Sequence, residues 1–182
     1  MKKYLFVSFA LCVSFFSCKK DSESPTPQTT FQLKLNGTLT TFNINSATLI
    51  RSTATDQKRL DIVGTSEDGQ TVFVLTVGEE TASGDGVSVG QHDVRLFNDD
   101  NPDTPEDESI DTDAYVTLSF YSGSTLITDT YAENGDITIT GNDEGAHTVS
   151  GNFQQTLASL TGGTDYTISE GSFNNIQYTV VN

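Results

Sequence analysis

Phe31-Gln32-Leu33-Lys34-Leu35-Asn36-Gly37-Thr38-Leu39 decides the fold class. Apolar and polar residues alternate from Phe31 to Leu35, the spacing that turns one strand face to a core and the other to water. Asn36-Gly37 then supplies two residues that tolerate positive φ, as a tight hairpin turn requires at both central positions. Residues 39–42 read as the returning strand. The stretch predicts an antiparallel hairpin, and nothing downstream changes the period.

Working outward, residues 44–51 form another β-rich run. In residues 60–63 Leu60 and Ile62 alternate with Asp61 and Val63, and residues 66–70 turn the chain. Residues 71–77, Thr-Val-Phe-Val-Leu-Thr-Val, are apolar on both faces and predict a central strand. Residues 78–90 read as a glycine-rich loop and residues 92–97 as a strand. Residues 115–121 put Val116, Leu118 and Phe120 on one face. Residues 125–131 and 136–140 follow as strands, separated by a turn at Glu133-Asn134-Gly135. Residues 147–157, 165–168 and 171–181 complete the pattern. Phe173 and Ile176 stand three apart with Asn174 and Asn175 between them, which predicts a β-bulge that lets both face the core. No stretch beyond the N-terminus has a 3.6-residue period. Many short strands with turns every eight to twelve residues predict an all-β fold: a single antiparallel β-sandwich, with a partly open barrel as the alternative.

The N-terminus reads differently. Lys2 and Lys3 precede 13 uncharged residues, Tyr4 to Phe16. That is short of the ~20 apolar residues of a membrane-spanning helix and matches the hydrophobic region of a signal peptide. Ser17-Cys18, a small residue and a cysteine closing that run, resembles the lipobox of bacterial lipoproteins, although Phe15 stands where that family prefers Leu. The resemblance implies cleavage before Cys18 and lipidation of its thiol. Two or more acyl chains anchor a protein stably where one does not. Cys18 is followed by no other cysteine, so the domain beyond it has no internal disulfide. Residues 19–30 hold no large apolar residue and contain Pro25 and Pro27, which predicts a disordered tether. The expected divisions are 1–17 signal peptide, 18–30 lipidated cysteine and tether, and 31–182 β-domain. Lys19-Lys20-Asp21 is similar to the charged sorting signals of Bacteroidota surface lipoproteins. It implies the outer membrane, with exposure at the cell surface.

The chain carries 9 Lys and Arg against 25 Asp and Glu, a net charge of −16, and cleavage would remove two of the lysines. A field of that sign disfavours nucleic acid and anionic headgroups as partners and attracts cations.

In the second half, Gly135-Asp136-Ile137-Thr138-Ile139-Thr140, Val149-Ser150-Gly151-Asn152-Phe153 and Gly171-Ser172-Phe173-Asn174-Asn175-Ile176 resemble an uncharacterised domain of small Bacteroidota lipoproteins, as does the hairpin of residues 31–42. The resemblance implies an envelope address and a β fold. It carries over no functional residues.

Several constellations bear on chemistry. Residues 98–113 hold Asp99, Asp100, Asp103, Glu106, Asp107, Glu108, Asp111 and Asp113. Asp99, Asn101 and Asp103 have the every-second-residue spacing of a Ca²⁺ loop, with Asp107, Asp111 and Asp113 as further oxygen donors. Counting from Asp99, the sixth position is Thr104 and the twelfth Ile110, so the EF-hand requirements for Gly and Glu fail. The same segment reads equally as a solvated, self-repelling loop. Gly86-Val87-Ser88-Val89-Gly90 matches the nucleophile-elbow pattern, but that motif needs a strand-to-helix turn and a strand is predicted next. His92 lies too near in sequence for a normal triad base, and His92 with His147 is too few ligands for zinc. Glu79-Glu80 is a loop pair that abundance alone explains in so acidic a chain. Tyr115, Tyr121, Tyr131, Tyr166 and Tyr178 are candidates for stacking on sugar rings, and equally ordinary strand residues.

The expectation is a lipid-anchored, non-enzymatic envelope domain that acts as a binding or interaction module, with no catalytic residue and no cofactor beyond Ca²⁺. Its partner would be a carbohydrate or another envelope protein. The alternatives are an acidic structural or shielding surface protein and, third, a hydrolase.

Overall fold

Asn36 and Gly37 take φ of 48° and 82°, so the hairpin turn forms as its sequence requires. The computed structural model describes residues 29–94, 114–163 and 165–182. The turn joins β1 (Thr30–Leu35) to β2 (Thr38–Ser52), followed by β3 (Gln57–Ser66), β4 (Thr71–Glu79) and a short β5 (Gly90–Asp93). After residues 95–113 come β6 (Ala114–Ser122), β7 (Thr125–Asp143), β8 (Thr148–Ser159), β9 (Tyr166–Gln177) and β10 (Thr179–Val181). Among the described residues there is no helix.

The strands form a closed barrel, not two sheets. From β2 the wall runs through β3, β4, β6, β7 and β8 to β9, and β1 pairs with both β9 and β2. Eight strands therefore close antiparallel. The expected sandwich is corrected on this point: a sandwich leaves each sheet two free edges, whereas here β1 is hydrogen-bonded along both of its own. The barrel alternative fits, closed by this pairing. Eight strands make an interior just wide enough for side chains to fill.

Two extra strands complete the wall where neighbours run short. β1 covers only residues 38–41 of β2, and beyond it β10 lies parallel against Thr48, Leu49 and Ile50. β5 lies against residues 136–139 of β7, where β6 has separated from it.

The interior is a phenylalanine stack. Phe31 stacks on Phe73 with centroids 3.8 Å apart and planes 14° off parallel. Phe42 stands edge-on to both, at 5.9 and 4.9 Å, and Phe153 and Phe173 flank Phe31 at 5.5 and 6.1 Å. Leu33, Leu49, Leu60, Ile62, Leu75, Ile137 and Ile139 fill the remaining space, all fully buried.

Three of these rings fit because of the residue across the ladder. Phe73 pairs with Gly64, Phe173 with Gly151 and Phe153 with Gly171. A Cβ at those glycines would lie 2.3, 2.4 and 2.6 Å from the ring opposite. Glycine is thus selected for space, and each ring covers the backbone its partner leaves bare. Outward positions such as Gln32, Asn43, Asn152 and Gln154 are exposed and polar. This polarity is the inverse of a membrane-spanning barrel, which turns its apolar band outward.

The bulge predicted between Phe173 and Ile176 forms: residues 149–151 of β8 oppose residues 173–176, Asn175 takes φ of 54°, and both apolar side chains are buried. The turn predicted at Glu133-Asn134-Gly135 does not form. It is a bulge inside the continuous strand β7, where the register against β8 shifts between Ala132 and Asn134.

Candidate binding site

That bulge opens a seam in the wall. β6 and β7 pair from Ser122↔Thr125 to Ser119↔Asp129, and there the ladder stops. Side chains replace it. The Thr130 hydroxyl accepts from the Leu118 N–H at 2.9 Å and donates to the Leu118 carbonyl at 3.1 Å. Gln155, on β8, reaches past β7 so that its Oε1 accepts from the Val116 N–H at 3.0 Å. It can do so because it faces Gly135, where a Cβ would lie 2.7 Å from Gln155 Cγ. Gln155 Nε2 is left buried without a partner among the described residues.

On the outer surface over the seam lies a groove of about 330 Å³. β6 contributes Tyr115, Thr117 and Ser119, outward by strand alternation, and β7 contributes Asp129, Thr130 and Tyr131. Val74 on β4 and Leu160 after β8 form its apolar margins. Among the described residues no Lys or Arg lines it. The groove falls within the size range of small-molecule sites and has their mixture of aromatic surface with a few convergent polar groups.

The structure thus brings Tyr115 and Tyr131 together and sends the other candidate tyrosines elsewhere. Tyr166 stacks on Phe120 at 4.7 Å. The Tyr121 N–H donates to the Gln70 carbonyl beside the β3–β4 turn. Tyr178 sits at the barrel end where β1 begins, its hydroxyl 2.6 Å from the Asp85 carbonyl and 3.0 Å from Asn142 Oδ1. Burial first, then the charges of Glu144, Asp85 and Asp143, push its phenol up to about 12. An unfolded tyrosine ionises near 10. The folded state therefore holds this proton while the unfolded chain loses it, and the stability it represents, present below pH ~10, fades as pH rises toward 12. Absorbance titration of the phenols is expected to show one group ionising last and, in Tyr178→Phe, its disappearance.

The loop between β4 and β5 closes that same end. Val87 is buried in the core. Lys58 Nζ donates to the Ser83 carbonyl at 2.6 Å and lies 3.0 Å from Glu79 Oε2. Glu79 Oε1 accepts from the Ser88 N–H, and Asp56 Oδ1 from the Ala82 N–H. Arg51 pairs with Asp85 at 2.6 Å and reaches the Asn182 side chain. Glu79 is thus the last residue of β4 and the buried partner of Lys58, not half of a loop pair with Glu80. Ser88 lies in this capping loop and is followed by β5, a strand. His92 Nε2 lies 3.0 Å from the Ser88 carbonyl. Gly86 packs closely on Asn142, whose amide a Cβ there would meet at 2.0 Å and displace. The His147 ring stacks on Tyr178 at 5.6 Å.

Cys18 and the proposed cation ligands Asp99, Asn101, Asp103, Asp107, Asp111 and Asp113 lie outside the described residues. Among the described residues no three His, Cys, Asp or Glu come together as metal ligands would. Alternation foretold the outward face of β6. Asp129 and the seam went unread, because they depend on where the β6–β7 ladder breaks.

The fold and site define a closed eight-stranded antiparallel barrel with a filled interior and an aromatic groove on its outer wall. No family model, no curated protein and no solved structure matches the chain.

Proposed function

We propose that this chain is a lipid-anchored protein of the cell envelope whose barrel is a binding module, with the groove over the β6–β7 seam as its ligand site. The observation that carries the reading is the convergence of Tyr115, Tyr131 and Asp129 on one concave surface of a barrel whose interior is taken up by an apolar core. The barrel interior is occupied by buried apolar side chains, so the reading puts the ligand on the wall. The anchor rests on the lipobox-like Ser17-Cys18 and the tether after it. β1 begins at the barrel end that also holds the C-terminus, so a chain tethered there leaves the side wall exposed.

Two measurements test the two halves. Metabolic labelling with an alkyne fatty acid is expected to mark the wild type and not Cys18→Ala; label retained by the variant removes the anchor. A ligand-observed NMR screen of uncharged sugars, amines and short peptides against the mature chain is expected to yield binders that Tyr131→Ala weakens at unchanged melting temperature. Binders indifferent to that change place the site elsewhere.

A further inference from the structure

We propose that the ligand of this groove is a neutral glycan, held by ring stacking on Tyr115 and Tyr131 and by hydroxyl hydrogen bonds to Asp129, Ser119 and Thr117. The inference rests on the groove being the binding site and names what it takes.

Anions are disfavoured from both sides. Asp129 contributes a carboxylate, no Lys or Arg among the described residues lines the groove, and the chain carries 25 acidic residues against 9 basic. A metal ion is disfavoured too, since Ca²⁺ takes six to eight oxygens and the described residues of the groove offer a single carboxylate. An organic cation would find Asp129 and two aromatic faces. It would use the lining hydroxyls only as acceptors and leave their protons without a partner in the ligand, because a cation cannot accept from them.

The hydroxyls decide the class. Thr117, Ser119 and Tyr131 each bring a group that both donates and accepts. The matching ligand does the same along its length, and a polyol ring does. Asp129 then acts as a pure acceptor. Among the described residues its carboxylate has no hydrogen-bond or ion-pair partner, so it is available to two ligand hydroxyls as a charge-assisted acceptor. Thr130 also lines the groove, but its hydroxyl is engaged twice by Leu118 and turned away from a ligand. A pyranose also presents a face of C–H groups, and Tyr rings suit it, apolar across the plane and polar at the tip.

Spacing gives the groove a direction. Outward residues along one strand stand roughly 6.8 Å apart, so Tyr115, Thr117 and Ser119 lay a platform and two polar contacts in a row along β6. Ser119 is directly across from Asp129 in the ladder, which puts the strongest acceptor at the end of that row. The order suits an extended chain of sugars lying along the wall better than one compact ring.

The test is a neutral-glycan array probed with the mature full-length chain, with uronic-acid and sialylated glycans as charged comparators, followed by NMR titration with the best binder and separately with choline and spermidine. Neutral oligosaccharides are expected to bind. Tyr115→Ala and Tyr131→Ala should each raise Kd about tenfold or more, the equivalent of 1.4 kcal/mol. Asp129→Asn, which keeps shape and loses charge, should weaken binding without changing the melting temperature. Binding of choline or spermidine, lost in the same variants and with no neutral glycan bound, overturns the glycan while the groove stands. If no probe shifts the resonances of Tyr115, Asp129 and Tyr131, the groove and the glycan fall together.

Discussion

Phe31→Ala is expected to lower the stability of the barrel by about 3–5 kcal/mol, the range for deleting a fully buried ring. Phe31 is fully buried and touches Phe42, Phe73, Phe153 and Phe173. It comes from β1, the strand hydrogen-bonded to β9 on one side and β2 on the other. Truncation therefore opens a cavity at the centre of the stack and weakens the strand that closes the wall. The neighbours cannot collapse into the space. Phe73, Phe153 and Phe173 are each held against a glycine across the ladder and would give up that backbone contact to move. This argues for the upper part of the range. For a domain of this size the melting temperature should fall by roughly 6–20 °C, at 2–4 °C per kcal/mol. Leu39→Ala, on an exposed residue of the neighbouring strand, should change stability by no more than about 0.5 kcal/mol. Guanidinium unfolding of the two variants decides it: a Phe31→Ala loss below ~1.5 kcal/mol would mean the five rings are not one packed unit.

The same stack explains what the sequence let one read. Strand identity was legible because alternation is local: Phe31 with Leu33, Val116 with Leu118, and Ile137 with Ile139 all declare their inward face within a few residues. The Asn36-Gly37 turn was legible for a similar reason, since its φ values belong to two adjacent residues. The bulge at Phe173 and Ile176 showed itself as a break in parity. Closure was not legible. Whether β1 ends a sheet or joins β9 depends on contacts more than a hundred residues apart, and both architectures bury one face of each strand. Its signal, in hindsight, is the set of glycines inside strands at Gly64, Gly151 and Gly171, each matched by a phenylalanine on the next strand. Glu133-Asn134-Gly135 misled because turn chemistry and bulge chemistry use the same residues. Gly135 is needed there for its φ of 141° and to let Gln155 past, not to reverse the chain. The groove was half legible: Tyr115 and Tyr131 were candidates, but only the broken ladder at Asp129 puts them on one surface.

Lys58→Met is expected to cost about 3–5 kcal/mol, as removal of one partner from a buried ion pair does. Lys58 and Glu79 are direct ladder partners on β3 and β4, with side chains 5% and 9% exposed. Oε2 of Glu79 lies 3.0 Å from the ammonium but makes no hydrogen bond, so their contact is charge to charge. Each partner also holds the capping loop, Lys58 through the Ser83 carbonyl and Glu79 through the Ser88 N–H. Met fills the lysine stem and leaves the carboxylate buried without its countercharge. The double variant Lys58→Met with Glu79→Leu removes both charges, and its loss should be much smaller than the sum of the singles, because a well-packed apolar pair is often neutral relative to a buried ion pair. What the double variant cannot restore is the loop. Without Glu79 the Ser88 amide has no acceptor, so hydrogen exchange at Ser88 and Val87 should quicken even where global stability recovers. High salt should change little, since a buried pair is poorly screened. Additive single and double losses would show instead that the two charges act independently, and that the loop is held by Val87, Asp56 and Arg51 alone.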